Sequence, residues 1–254
     1  MSRPRLFVFC CVVGTVSDDV RRIVESVPDI SGRFDVSLVL YTDRMSPGTY
    51  SPGAGVCWHV QPPLLPEGVR DPIRIARFHK LLSHNTSPDA DYSLWFDGCL
   101  AFKPGLNLAE LVDQSLQHDR YSLATFRHPD RTCFYQEAIA CLRLRKDSAT
   151  KIHKQVDHYS SRMPPNLGLT ENAVVIRRHT QEIREFNEFW WEQLSQFSRR
   201  DQLSFPYCAY VKQLEYGIIP GRRDNSTFFD YVGHITKRPA GVQVSVRSDR
   251  RRKI

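Results

Sequence analysis

The sequence predicts an α/β fold with a mostly parallel central sheet and helices on both faces. Strand-like and helix-like segments alternate through the first half of the chain, the pattern left by βα units. The opening run, residues 6–13, is apolar, β-branched and aromatic, and stops at Gly14-Thr15 as a strand buried on both faces does. Three strand candidates close on polar pairs: Gly14-Thr15, Thr42-Asp43 and Asp97-Gly98. Ligands of open α/β sheets bind beyond the carboxyl ends of strands, so these pairs mark the expected site.

The elements follow in order. After the first strand, Val20, Ile23, Val24 and Val27 fall at helical spacing. Residues 34–41 read as the second strand. Residues 44–68, rich in Pro and Gly, read mostly as loop around a short strand at 58–60. A helix over 73–82 sets Arg74, Arg77 and Lys80 along one side. A strand at 92–96, a helix at 106–117 and a strand at 121–126 come next. Helices over 133–145 and 149–161 end before Met163-Pro164-Pro165, and a short strand follows at 173–176. Residues 181–197 form an amphipathic helix with Phe186, Phe189, Trp190 and Leu194 on its apolar face, and Trp190-Trp191 reads as core plus rim. Another helix starts at Asp201, and 243–246 reads as a late strand. No repeat or linker interrupts the chain, which divides into one domain over 1–246 and a basic tail over 247–254.

Bulk composition narrows the class. With 254 residues, 41% hydrophobic and 25% charged, the chain is long enough for a sizeable core and too apolar for wholesale disorder. Its longest apolar run is far short of the roughly 20 residues that span a bilayer. Arg3 and Arg5 precede that run, but Asp18 and Asp19 stand where a signal cleavage site would be. Seven cysteines without a C-x-x-C pair give neither a disulfide framework nor a zinc knuckle, and read as free buried thiols in a reducing cytosol. Adjacent Cys10 and Cys11 point to opposite faces of their strand. The net charge of +7 resides partly in Arg247, Arg250, Arg251, Arg252 and Lys253. Without interleaved aromatics that tail does not suggest nucleic acid, and it suits peripheral contact with an acidic membrane. The expected location is cytoplasmic or peripheral to the membrane.

No dinucleotide fingerprint, phosphate loop, nucleophile elbow or zincin motif is present. What remains is Trp95-Phe96-Asp97-Gly98, a carboxylate leaving an apolar strand. A nucleotide-sugar enzyme needs such a group to hold a divalent cation, or sugar and ribose hydroxyls, at the diphosphate. The same letters also describe an ordinary turn. A D-x-D pair is not met, because Cys99 occupies the second place, and Asp89-Ala90-Asp91 precedes the strand and reads as a solvated turn. Arg77 and Lys80 are placed to offset diphosphate charge or simply to face solvent. Asp201, beside Gln202, is either a helix cap or a binder of sugar hydroxyls. His234 is a candidate imidazole ligand.

Together these pieces resemble the glycosyltransferase-like domain family of the plant turgor-regulation-defect and mucilage-related proteins, which has bacterial members. The matching words are Tyr41-Thr42-Asp43, Trp58, Asp71-Pro72 with Arg74 and Arg77, Lys80-Leu81-Leu82-Ser83-His84, and residues 92–98. Others are His128-Pro129, Arg131, Tyr135-Gln136-Glu137-Ala138, Pro165, Gly168-Leu169-Thr170-Glu171, Ile176-Arg177-Arg178-His179, Trp190-Trp191-Glu192 and residues 200–205. They run in order over residues 6–212. Ser83 departs from the family's tendency to Pro, and little matches beyond Gln213. The resemblance implies a GT-A-like nucleotide-diphospho-sugar transferase fold.

The expected activity is transfer of a sugar from a nucleotide-diphosphate donor to a glycan or lipid-linked acceptor. Thr15 and Asp43 are expected at the nucleoside, Arg77, Lys80 and Gln202 at the donor, and Asp97 with His234 at a Mn²⁺ or Mg²⁺ ion. Asp201 is expected to position the donor sugar or acceptor, with Glu137 and Glu171 as candidate bases. Two other readings stay open: a hydrolase of a lipid amide or glycoside using Glu137 and Asp201 as acid and base, and a sugar-nucleotide-binding module without turnover.

Overall fold

The computed structural model describes residues 2–14 and 19–233. The chain begins β1 (Arg5–Val12), α1 (Asp19–Val24), β2 (Asp35–Thr42), β3 (Gly48–Gly53), β4 (Val56–Gln61), α2 (Pro72–Leu81), α3 (Ser83–Thr86) and β5 (Tyr92–Phe96). It continues β6 (Leu100–Phe102), α4 (Leu108–Ser115), β7 (Leu123–Arg127), α5 (Phe134–Arg143), α6 (Ala149–Ser160) and β8 (Thr170–Arg178). It ends α7 (Gln181–Gln196), α8 (Asp201–Val211), β9 (Gly217–Ile218) and β10 (Phe229–Tyr231).

Eight strands form one sheet in the order β3-β4-β2-β1-β5-β8-β7-β9. The pairs β4–β2, β2–β1, β1–β5 and β7–β9 are parallel. Strand β8 runs against both its neighbours, and β3 against β4, so the sheet is mostly but not wholly parallel. Strand β8 is longer than the expected 173–176, and its reversal matters for the site. The stretch expected as loop over 44–68 contains the β3–β4 hairpin. Its Gly48, Gly53 and Gly55 take positive φ, so the glycines that suggested a loop instead shape a twisted edge hairpin.

Alternation along β1 splits its side chains between two cores. Leu6, Val8 and Cys10 pack with Val20 and Ile23 of α1 and Leu108, Leu111 and Val112 of α4. Phe7, Phe9 and Cys11 pack with Ile183, Phe186 and Trp190 of α7 and Phe205 of α8. Each fully buried Phe or Leu in these layers contributes about 1.5–3 kcal/mol. A third cluster ties α5 and α6 to α8 through Phe134, Ile152, Tyr159 and Leu203. Trp190 belongs to the core and Trp191 to its rim.

Helix α2 is seated by its own first turn. Asp71 caps it by accepting from the Ile73 amide, and Pro72 opens it. Gly14, at φ 92°, carries β1 out of the sheet where an added Cβ would lie 2.9 Å from Pro72, so only glycine fits. Arg74 does not reach the strand ends: it donates to the carbonyls of Leu194 and Phe197 at the end of α7. No disulfide joins any of the seven cysteines; six are buried and Cys57 is exposed. No helix among the described residues is long and apolar enough to cross a membrane. Thr15, His234, the expected strand at 243–246 and the basic tail lie outside the described residues.

Candidate active site

The parallel strands β1, β2 and β5 end at one edge of the sheet, since Phe9 pairs with Trp95 and Val12 with Thr42. Asp97 follows β5 directly. Because β8 is reversed, its amino end reaches this same edge: the Asp97 amide donates to the Ala173 carbonyl at 2.7 Å. Glu171 and Asn172 therefore arrive beside Asp97 on a strand whose carboxyl end lies elsewhere. Helix α8 adds Asp201 and Gln202 from its first turn, α5 adds Glu137, and the turn after β7 adds His128 and Arg131. These groups line a cavity of about 400 Å³.

A quartet of charged side chains forms its floor, with Lys80 and Asp201 buried and Arg77 and Asp97 part-exposed. Lys80, 1% exposed, places its ammonium 2.6 Å from Asp201 Oδ2 and 3.5 Å from Asp97 Oδ1. Arg77 lies 3.1 Å from Asp201 Oδ1 and 3.6 Å from Asp97 Oδ1. The two carboxylates share one ammonium and so stand no more than about 6 Å apart, the two contacts laid end to end. The Trp95 indole N–H donates to Asp97 Oδ1 at 2.8 Å. All these contacts fall on Oδ1, leaving Oδ2 of this part-exposed side chain to the cavity.

Charge states follow from burial and neighbours. Burial pushes the Asp201 carboxyl up, but Arg77, Lys80 and Arg200 outweigh it and hold the group far below the usual carboxylate range. Burial and the neighbouring Arg77 draw the Lys80 ammonium below its ordinary value, against the pull of Asp201 and Asp97. For Arg77 burial is outweighed by Asp201 and Asp97, and its pKa is raised. Burial raises the Glu171 carboxyl, with Asp224, Asp97 and Asp130 adding to the rise and Arg223 opposing it. His128 is pushed down to about 4 by burial and Arg131, so it is neutral at pH 7. Its Nδ1 accepts from the amides of Asp130 and Arg131.

The expected site residues separate under this geometry. Arg77, Lys80, Asp97, Glu137, Glu171, Asp201 and Gln202 meet around the one cavity. Asp43 stands apart from its lining, accepting from the Gly14 amide at 3.2 Å and pairing with Arg44. Asp201, expected at the donor sugar or acceptor, is 2% exposed, with Oδ1 3.1 Å from Arg77 and Oδ2 2.6 Å from Lys80. It is not the helix cap, a place held by Arg200. Glu137 is bound by Arg131 at 2.6 Å and accepts from the Cys141 thiol. The Gln202 amide is engaged by Thr170 and Arg200.

His128, Arg131, Arg200 and Arg223 also line the cavity without having been singled out as site candidates. The first three sit inside words that carried the family resemblance. Arg223, which pairs with Glu171 at 3.0 Å, lies past the last matching word and left no signal.

A GT-A-like fold raises the question of a divalent cation. Among the described residues no three His, Cys, Asp or Glu side chains converge as ligands. Cys99, in place of a second carboxylate, is buried. Asp97 already has an ammonium and a guanidinium within 3.6 Å. The described donor set does not fit a divalent ion.

The model of the TOD1/MUCI70 glycosyltransferase-like domain matches residues 67–218, more than half of the chain and nearly all of this cavity. The chain belongs to this family. Among curated relatives, "Probable hexosyltransferase MUCI70" of Arabidopsis thaliana is 29% identical over 141 residues, 52% of this chain and 24% of that protein. "Alkaline ceramidase TOD1" of the same plant is 25% identical over 138 residues, 50% of this chain and 29% of that protein. The matched stretch is thus less than a third of either relative's length. Among solved structures, the apo WbbM bifunctional glycosyltransferase superposes with TM-score 0.51 at 10% identity, covering 84% of this chain and 38% of that one. The fold of this family member is accordingly an α/β fold of the GT-A-like type, with the cavity at the strand ends where such sheets bind ligands.

Proposed function

We propose that the protein transfers a hexosyl or related sugar from a nucleotide-diphosphate donor to a hydroxyl of a glycan or lipid-linked acceptor. The observation that carries this reading is the convergence of Arg77, Lys80, Asp97 and Glu171 in one cavity at the strand ends, inside the family-matched segment. The roles divide by charge state. Asp97 Oδ2 accepts hydroxyls of the donor sugar. Glu171, its carboxyl raised and facing the cavity, accepts the proton of the acceptor hydroxyl. The acceptor oxygen bonds to the anomeric carbon as the bond from that carbon to the diphosphate breaks, and the electron pair leaves with the nucleoside diphosphate. Arg77 and Lys80 stabilise that departing charge, with Asp201 holding both in position. Thr15 and Asp43 serve the nucleoside.

Residues 1–246 are taken as one catalytic domain, and the tail over 247–254 as a peripheral contact with an acidic membrane. Seven cysteines without a disulfide suit a reducing, cytoplasmic setting. A thermal-shift panel of uridine, guanosine, adenosine and cytidine diphosphates tests the reading. A ligand at a hundred times its dissociation constant adds about 2.7 kcal/mol to stability. No response to any of the four would leave the hydrolase reading, with lipid amides as the next substrates to try.

A further inference from the structure

We infer that the diphosphate is neutralised by the protein's own cations, with no bridging divalent ion. This deepens the transferase reading and rests on it. Six basic side chains and four carboxylates line the cavity. His128 is neutral there, so the lining carries a formal excess of two positive charges. A sugar nucleotide's diphosphate carries about two negative charges, so the protein alone balances it.

The surplus has an address. Glu171 is matched by Arg223, Glu137 by Arg131, and the Asp97–Asp201 pair by Lys80 and Arg77. Arg200 and Lys146 line the cavity without taking part in any of these ion pairs. Arg200 stands at the N-cap of α8, where no side chain caps the helix. The Leu203 amide of that first turn donates to the Arg200 carbonyl, and the positive end of the helix dipole lies beside the cavity that Arg200, Asp201 and Gln202 line. The Arg200 guanidinium donates to Gln202 at 2.8 Å and also contacts the Cys141 thiol, while its Nε is buried without a hydrogen-bond partner.

The same arrangement works against a metal. An ion at Asp97 would sit beside the Lys80 ammonium, which is itself only 3.5 Å from that carboxylate. Lys80 cannot move away, because it is buried and held by Asp201. Like charges crowded this closely repel.

Calorimetric titration of the full chain with uridine diphosphate, in EDTA and again with Mn²⁺, tests the inference, with guanosine, adenosine and cytidine diphosphates as the other probes. The expected result is binding in EDTA, with less than a tenfold gain from Mn²⁺. Asp97→Asn is the discriminating variant. Its amide oxygen still accepts from Trp95, so the fold survives. Removing a negative charge beside Lys80 leaves diphosphate affinity unchanged or raises it, whereas a metal bridge would lose its ligand. Arg200→Gln, at a part-exposed position, is expected to weaken binding by tenfold or more. A gain of tenfold or more from Mn²⁺ that vanishes in Asp97→Asn overturns the inference and leaves the transferase reading standing. No binding of any of the four diphosphates in either condition overturns both.

Discussion

Replacing Asp201 by alanine is expected to destabilise the protein severely, because the carboxylate is the shared counter-ion of two cations. Its side chain is 3% exposed, as against 1% for Lys80 and 13% for Arg77. Once it is gone, both cations keep only Asp97, a quarter exposed and 3.5–3.6 Å away. Removing one partner of a buried ion pair costs about 3–5 kcal/mol, whereas losing a helix-terminal cap costs about 0.5–2 kcal/mol. In a chain of this size about 1 kcal/mol moves Tm by 2–4 °C, so the expected drop is roughly 6–20 °C. Urea unfolding followed by tryptophan fluorescence reads the loss directly, as a lower midpoint with unchanged slope. Adding Lys80→Met to Asp201→Ala is expected to restore part of the stability, since it removes the stranded ammonium. The coupling should fall within about 0.5–3 kcal/mol. A single-mutant loss below about 2 kcal/mol, or full additivity with Lys80→Met, would refute the quartet as the structural floor of the site.

Asp97→Asn is expected to abolish sugar transfer while stability changes by no more than about 1 kcal/mol, the scale of a part-exposed ion pair. A transfer assay beside a melting curve checks it, and wild-type turnover would remove Asp97 from the chemistry. Glu171→Gln is expected to lower kcat by about 10²–10⁴-fold with little change in donor KM, the loss due to a missing general base. A pH–rate profile that keeps its acidic limb in this variant would assign the base elsewhere. Acid should destabilise the fold through its buried histidines. Burial pushes His79 and His128 down to about 4 and His179 to about 3, so the unfolded chain binds more protons once the pH falls below about 6.5. Stability is therefore expected to fall between about pH 6.5 and 4, by up to about 1.4 kcal/mol per pH unit for each histidine. Denaturant midpoints flat across that range would contradict it.

The sequence by itself determined the layers and the strand ends. Apolar alternation and helical spacing report which face of a segment is buried, and burial is local enough to read from neighbours in the chain. It therefore placed Asp97 after β5, Arg77 and Lys80 on one side of α2, and Cys10 and Cys11 on opposite faces. The hairpin of β3 and β4 escaped because its glycines and prolines satisfy a loop and a twisted edge equally well. Only the tertiary structure decided which polar groups meet. Strand β8 enters the sheet backwards, and that reversal carries Glu171 to the edge where parallel strands bring their carboxyl ends. Helix α8 brings its first turn beside α2, and only that contact shows Asp201 to be the buried partner of two cations. Arg223 arrives from beyond any recognisable word. Such pairings depend on chain segments far apart in sequence, and charge complementarity leaves no period in the sequence that could announce them.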